Sequence, residues 1–221
     1  MRKKLTFLIA IFCCFCLLGA CKNTATLTEY VSELRSNCYE SVDSDLKITA
    51  GYGFIEENKA QDGSVNKRYY ILTFRLLGVQ TENITYSLTL KHNDTDYRAT
   101  FKYSPILHGY TAGIELDNFS LDEFDFSLSN SSNVQSVHMK STMPKNTISY
   151  QKALLCLQNK QGELINSYYD ETGKFTAEIC AKVIVKDAHP YWYVGLSTKD
   201  NTKALLIDGF NGEVLAIRDV F

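Results

Sequence analysis

The chain has 221 residues, of which 23 are basic and 25 acidic, and no basic patch is evident. Nucleic acid is therefore a poor candidate partner, because a nucleic-acid-binding surface needs clustered basic side chains. The length allows one large domain or two small ones, and a middle region rich in Thr, Ser, Tyr and Val favours strands.

The first 20 residues have the parts of an export signal. Arg2, Lys3 and Lys4 give a positive start, and a nearly unbroken apolar run follows at 5–18. That run is too short to span a membrane comfortably, since a spanning helix needs about 20 apolar residues. A positive start, a short apolar stretch and small residues before a cleavage point are typical of a signal peptide.

Leu18-Gly19-Ala20-Cys21 ends this segment and resembles the lipobox of bacterial lipoproteins. The resemblance implies that the Cys21 thiol receives a diacylglyceryl group and that residues 1–20 are removed. Two acyl chains make a stable anchor, so we expect a mature protein tethered to the outer face of the cytoplasmic membrane. Its net charge is −5, from 20 basic and 25 acidic residues. Ordinary secretion with cleavage nearby is the alternative.

Three cysteines, Cys38, Cys156 and Cys180, remain unmodified in that mature chain. Their odd number rules out a closed disulfide framework, and no Cys-x-x-Cys pair indicates a zinc knuckle or a thioredoxin-like site. Cys180 lies on the polar face of a predicted strand, whereas Cys156 flanks the apolar stripe of a helix on the other side. We expect no intrachain disulfide, because bridged Cα atoms lie within about 7 Å.

Residues 21–44 are predicted to form a short polar tether and then a helix. Thr26 and Glu29 fit a capping box. Helical spacing also places Cys38 on the apolar face, which favours a core position over a reactive thiol. The residues on that face are Leu27, Val31, Leu34 and Cys38.

Residues 45–142 change to a period of two, which is typical of strands with one buried face. An Asn93-Asp94 turn is expected to close a hairpin between the third and fourth strands. The number of short strands predicts a β-sandwich with an immunoglobulin-like architecture, although the Cys–Trp–Cys signature of antibody domains is absent. The predicted strands are 46–54, 68–77, 84–90, 96–103, 110–116, 123–129 and 134–140.

Residues 143–146, which include Pro144, predict a domain boundary, and a small α+β domain follows at 147–221. Apolar residues at helical spacing predict a helix over 150–168, which Gly162 is expected to bend or break. The remaining residues are predicted to form four strands in an antiparallel meander. Its helix side is expected to carry the apolar residues from Phe175 to Val185. The predicted strands are 175–185, 191–197, 203–208 and 214–221.

The segment 203–218 resembles the end of a PepSY-type domain. In it Asp208-Gly209 opens a turn, Gly212 supplies a positive φ, and the return strand follows. The resemblance implies a non-catalytic domain of the kind found in secreted peptidase propeptides and bacterial envelope proteins, which binds or restrains a partner. The chain as a whole also resembles lipoproteins of clostridia-like bacteria, and this resemblance implies no particular activity.

Motifs for chemistry are missing from the sequence. It contains no nucleophile elbow, no Ser-x-x-Lys, no His-Glu-x-x-His, no phosphate loop and no dinucleotide-binding loop. The scattered histidines favour isolated surface positions over metal ligands. We therefore assign no catalytic residue, metal or cofactor. The histidines are His92, His108, His138 and His189.

Asp117, Asp122, Glu123 and Asp125 form the densest acidic stretch. Clustered carboxylates are what Ca²⁺ prefers, but their spacing does not fit an EF-hand loop. Acidic residues at strand ends usually face water, and we favour that interpretation. Whether the 117–125 stretch binds a cation is left open by the sequence.

Tyr191 and Tyr193 are a possible contact surface. Alternation puts Trp192, Val194 and Leu196 in the core and leaves both tyrosines on the open side of the sheet, beside Gly195. Tyrosine offers a large apolar area with a polar tip, which suits stacking on a sugar or binding a peptide. The favoured alternative is that both tyrosines simply pair with cross-strand neighbours.

The sequence thus predicts a mainly β, non-enzymatic protein of the cell envelope, anchored by lipid at Cys21. We expect it to bind a protein, a peptide or a cell-wall polysaccharide. Two alternatives remain: an envelope hydrolase with a site built from scattered carboxylates, whose separation is a tertiary quantity, and a structural spacer.

Overall fold

The computed structural model describes residues 26–42, 44–57, 67–78 and 84–220. The predicted signal peptide (1–20) and the predicted lipidation residue Cys21 lie outside the described residues. The described chain is mainly β, as the sequence predicts. None of its helices is both long and apolar enough to cross a membrane.

A 3₁₀ turn, two helices and thirteen strands make up the described chain. The turn is Leu27–Tyr30, and the helices are α1 (Tyr150–Lys160) and α2 (Gly162–Asn166). The strands are β1 (Val31–Val42), β2 (Lys47–Glu56), β3 (Arg68–Leu77), β4 (Ser87–His92), β5 (Thr95–Thr100), β6 (Lys102–Ser104), β7 (Gly109–Glu115), β8 (Glu123–Ser129), β9 (Val134–Ser141), β10 (Glu178–Lys186), β11 (His189–Ser197), β12 (Thr202–Asp208) and β13 (Val214–Val220).

The helix predicted within residues 21–44 is wrong, since the chain forms strand β1 over Val31–Val42. Two bulges in β1 explain the misleading pattern. Ser32 is an extra residue against β10, and Ser36 is an extra residue against β2. A bulge shifts the alternation of side chains between the two faces. Apolar residues therefore recur at intervals that imitate a helix.

All thirteen strands belong to one sheet, which forks at β1. Nine strands follow the order β13-β12-β11-β10-β1-β2-β3-β7-β6. The first half of β1 pairs in parallel with β10, up to Arg35 opposite Lys182. Its second half pairs antiparallel with β9, starting at Tyr39 opposite Ser141. Strand β9 leads on to β8, β4 and β5, so β10 and β9 are the two branches of the fork.

Two hydrophobic clusters lie on the same side of this sheet. On β2, Tyr52 belongs to the first cluster and Phe54 to the second. Residues two apart in a strand point to the same face. Strands β4, β8 and β9 contribute the covering side of the first cluster, and α1 and α2 that of the second. We call the opposite side of the shared sheet its outer face.

Most strands predicted between residues 45 and 142 are confirmed, with one informative exception. Asn93 and Asp94 close the predicted hairpin between β4 and β5, both with positive φ (48° and 60°). The strand predicted over 96–103 is instead two strands, β5 and β6. The buried Phe101 lies between them, where the chain leaves its pairing with β4 and begins its pairing with β7.

The helix and the four-strand meander of the C-terminal region are confirmed. The helix breaks at Gln161, just before Gly162, to give α1 and α2. Trp192 is buried as alternation predicts, and its Nε1 donates to the carbonyl oxygen of Ile148 at 3.0 Å. Gly212 has a φ of 73°, as the turn requires.

No disulfide links Cys38, Cys156 and Cys180 in the described part of the chain. Cys156 packs against Gly212 on the helix side of the sheet, where a Cβ on the glycine would overlap the Cys156 sulfur. Cys180 alternates with the buried Ile179 and Ala181 and therefore lies on the outer face.

Candidate functional site

A groove of about 410 Å³ lies on the outer face, at the fork of the sheet. Five strands and the residue that follows β9 supply its walls, and we call it the outer-face groove. The lining residues with polar or charged side chains are Glu33, Arg35, Asn37, Cys38, Glu40, Thr49, Thr73, Arg75, Thr142, Lys182 and Tyr193.

The floor of the groove is open because β2 carries glycine at two successive outer-face positions, Gly51 and Gly53. A Cβ at Gly53 would overlap the carbonyl oxygen of Leu34, since the β1 bulge brings that carbonyl over β2. A Cβ at Gly51 would meet only ordinary contacts, 3.6 Å from Asn37 O and 3.7 Å from Arg35 Cδ. Gly53 therefore permits the bulge, and Gly51 leaves room above the floor.

Charged side chains of both signs surround this floor. Glu33 Oε1 lies 3.2 Å from Lys182 Nζ and 3.7 Å from Arg35 Nη2. Arg35 Nη1 also donates to the carbonyl oxygen of Leu34 at 3.3 Å. Arg75 is exposed and has no ion-pair partner among the described residues. Glu33 is thus neutralised within the groove, whereas Arg75 is not.

Arg35 and Arg75 line the same groove from β1 and β3, on either side of the Gly51 and Thr73 positions. Burial lowers the pKa of Arg35 below its ordinary value; Glu33 and then Cys180 oppose this effect, and the positive charge of Arg75 adds the smallest contribution in the lowering direction. A guanidinium stays charged in proteins despite such shifts. The groove therefore holds two like charges, an arrangement that an anion between them would relieve.

The hydroxyl of Thr73 is an unpaired polar group in the same place. Its Oγ1 is buried and has no hydrogen-bond partner in the described part of the chain. Thr73 lies opposite Gly51 on β2 and Gly113 on β7, so no neighbouring side chain reaches it from either strand. An unpaired buried hydroxyl costs about 1–3 kcal/mol, which makes it an informative exception in a folded protein.

Cys38 closes the groove at the fork, where β1 leaves β10. Its thiol donates to the carbonyl oxygen of Val183 at 3.3 Å. Burial, together with the charge of Glu40, raises the pKa of Cys38 to about 11. The thiolate is the nucleophile, and the raised pKa keeps Cys38 in its protonated, less nucleophilic form at neutral pH. The expectation that it is not a reactive thiol agrees with this environment.

Only one of the two tyrosines proposed from the sequence as a contact surface, Tyr193, lies in the groove. Tyr193 lines the outer-face groove, and its ring leans over Gly195, with Cε1 3.4 Å from the position of a Cβ there. Tyr191 does not line the groove, and its ring lies 4.7 Å from that of His189. The ring of Tyr193 therefore fills the space that the missing side chain of Gly195 would otherwise leave.

His189 is not the isolated surface histidine that the sequence favoured. Its Nε2 lies 2.8 Å from Oδ2 of Asp208, which is 8% exposed, and its ring also contacts Phe210. Oδ1 of Asp208 accepts the backbone N–H groups of Phe210 and Asn211 at 2.8 and 3.1 Å. Burial opposes ionisation of Asp208, but these hydrogen bonds and His189 outweigh it and lower its pKa.

The acidic stretch is only partly brought together. Asp125 Oδ1 lies 2.9 Å from Nδ1 of the exposed His138, and Glu123 Oε2 lies 3.8 Å from its Nε2. Within the ranges that the structure describes, no group of three or more His, Cys, Asp or Glu residues could hold a metal ion.

Sequence reasoning missed Arg35, Thr73, Arg75 and Lys182 as groove residues. The available signal was the Gly51-x-Gly53 pair inside a predicted strand, because glycine within a strand marks a bulge or a close approach of backbone or ligand. The charged residues lie on three different strands, and only the fold shows that they meet.

Comparison of the chain with protein-family models, with curated proteins and with solved structures finds no match.

Proposed function

We propose that this chain is a lipid-anchored protein of the bacterial cell envelope that binds a protein, a peptide or a cell-wall component without altering it chemically. The outer-face groove is its binding site. The observation that carries the proposal is a cleft of about 410 Å³ with a glycine floor and charged walls, since ligand pockets measure about 300–1,000 Å³. The lipobox resemblance at Cys21 supports anchoring on the outer side of the cytoplasmic membrane.

The finer division of the fold belongs to this proposal. Residues 45–142 form an immunoglobulin-like sandwich, and residues 147–221 form a PepSY-like unit. The two separate hydrophobic clusters support this division. Strand β1 contributes to both clusters, and the groove takes Arg75 from the first unit and Lys182 from the second. The shared strand therefore holds the two halves of the groove in one geometry.

A binding role suits the groove better than a catalytic one. The thiol of Cys38 is held protonated by burial. The one His–Asp pair with a buried carboxylate among the described residues, His189 with Asp208, lies outside the groove, and no Ser or Cys of the described chain makes a hydrogen bond to it. Nucleophilic catalysis needs a nucleophile within hydrogen-bonding reach of its base.

The proposal is tested by filling the groove with a side chain and measuring how much bound material the protein captures in intact cells. Gly51→Leu places a side chain over the floor, whereas Gly51→Ala adds only a Cβ with ordinary contacts. Cells carrying each tagged form, and the wild type, are treated with a short cross-linker, and the bound material is identified by mass spectrometry. We expect the wild type and Gly51→Ala to capture the same material. We expect Gly51→Leu to capture at least 10-fold less of it.

Two outcomes contradict the proposal. Capture that is equal in all three forms removes the groove from binding, and a structural spacer predicts this result. Release of a chemically altered product by the wild type, absent with Gly51→Leu, makes the protein an enzyme. Fluorescence of the buried Trp192 verifies that each variant is folded.

A further inference from the structure

The charge of the outer-face groove points to the kind of ligand it holds. Three cationic side chains (Arg35, Arg75 and Lys182) and two carboxylates (Glu33 and Glu40) line it. The surplus is therefore one positive charge. A singly charged anion matches that surplus, whereas a phosphate group, with about −1.5 to −2 charges at neutral pH, exceeds it.

The positions of the donors locate the anion. Arg35 extends along the floor, with its Cδ 3.7 Å from where a Gly51 Cβ would be. Its polar contacts to Leu34 O and Glu33 use only part of its five N–H donors. Arg75 lines the same groove from β3, where it lies opposite Thr49 and one outer-face position along the strand from Thr73. Between the two arginines lie a bare glycine and the unpaired hydroxyl of Thr73.

We propose that the outer-face groove holds the terminal carboxylate of a peptide between Arg35 and Arg75, with the Thr73 hydroxyl donating a third hydrogen bond. This inference rests on the proposed binding function of the groove. Guanidinium groups match carboxylates in geometry, and such charge-assisted hydrogen bonds are about twice as strong as neutral ones. The anion also supplies the partner that Thr73 lacks.

Two further features favour a peptide end over a free small anion. The exposed Glu40 lies on the rim and can accept an N–H group of the peptide backbone. Ile184 and Tyr193 give one wall of the groove an apolar surface for a neighbouring side chain. The volume suits the last few residues of a chain, because it lies at the low end for ligand pockets.

The probe is N-acetyl-alanyl-alanine, with its free carboxylate or as the C-terminal amide. The full lipidated chain is labelled with ¹⁵N-arginine in detergent micelles, and the arginine Nε–H signals are followed by NMR. We expect the carboxylate form to shift the Arg35 and Arg75 signals saturably and the amide form to bind at least 10-fold more weakly. Arg75→Gln should weaken the binding of the carboxylate form about 10-fold.

Arg98 provides the matched control, because it is an exposed arginine on β5 that does not line the groove. Arg98→Gln should bind as the wild type does. Equal binding of acid and amide, no saturable shift with the acid, or tighter binding of inorganic phosphate overturns the carboxylate assignment. Groove-dependent capture from cells with equal binding of acid and amide would leave the proposed function standing and refute only this inference.

Discussion

Thr73 shows how a single residue can be better suited to binding than to stability. Its hydroxyl is buried without a partner at the centre of a groove whose floor is glycine. Such a group weakens the folded state, because it loses its hydrogen bonds to water on folding and gains none in return. A ligand that accepts this hydrogen bond removes the cost.

Thr73→Val should therefore stabilise the folded protein and weaken its binding of the ligand. The change replaces the hydroxyl with a methyl group of similar shape, and we expect unfolding to become about 1 kcal/mol less favourable. Urea unfolding followed by Trp192 fluorescence measures the stability. The binding of N-acetyl-alanyl-alanine should fall several-fold in the same variant. A loss of stability would mean that Thr73 has a partner in the folded protein.

Asp208 makes the stability of the fold depend on pH at the acidic end. Its pKa is lower in the folded chain than its ordinary value of 3.8, so folding favours the carboxylate. The stabilisation is fully present above pH 3.8 and is lost as the pH falls through the folded pKa.

Asp208→Asn should reduce stability at neutral pH and flatten the pH dependence below pH 4. Asp200→Asn, in an exposed loop, should leave both unchanged. Thermal unfolding between pH 2 and pH 7 measures the effect. A wild-type profile that Asp208→Asn does not flatten would show that other carboxylates set the acid limit.

At the scale of elements, β1 separates what the sequence could predict from what it could not. Strands with one buried face were predicted well, because residues at every second position are apolar. The first strand was predicted as a helix because two bulges, at Ser32 and Ser36, disturb that alternation. Bulges form through pairing with distant strands, and local sequence carries no record of those partners.

The groove was missed for the same reason. Arg35, Arg75 and Lys182 come from β1, β3 and β10, and only the parallel pairing of β1 with β10 brings Lys182 beside Arg35. Tyr193 was selected from the sequence by alternation, and it does line the groove. Tyr191 has the same signal and lies outside it. Alternation gives the face of a residue but not its neighbours.

The bulge in β1 makes a prediction about the two glycines of β2. Gly53→Ala should destabilise the protein by about 2 kcal/mol or more, because its Cβ would overlap the backbone carbonyl of Leu34 and backbone cannot move aside cheaply. Gly51→Ala, on the same strand and face, should change stability by less than about 1 kcal/mol. Urea unfolding compares the two, and equal effects would show that β1 and β2 can separate at the bulge.

At the scale of the whole molecule, the shared strand β1 joins two hydrophobic clusters under one continuous sheet. The outer face of that sheet is where the two halves meet, and the groove lies there. In the proposed anchored form, residues 22–25 separate Cys21 from the described part of the chain, which begins at Thr26.

Cys21→Ala tests the tether. The variant should lose lipid attachment and leave the membrane fraction, or remain as an uncleaved precursor, because the thiol is the group that would carry the diacylglyceryl chain. Detergent partitioning and intact mass measure this. A Cys21→Ala protein that still partitions into detergent at its mature mass would show that Cys21 is not the anchor.

Site-specific cross-linking in intact cells tests whether the outer-face groove is the binding site. A photo-reactive phenylalanine analogue replaces either Tyr193 or Tyr191. Position 193 lines the groove and position 191 lies on the same strand outside it. We expect a defined cross-linked product from position 193 and little or none from position 191. Equal labelling from both positions, labelling from position 191 alone, or none from position 193 would contradict it.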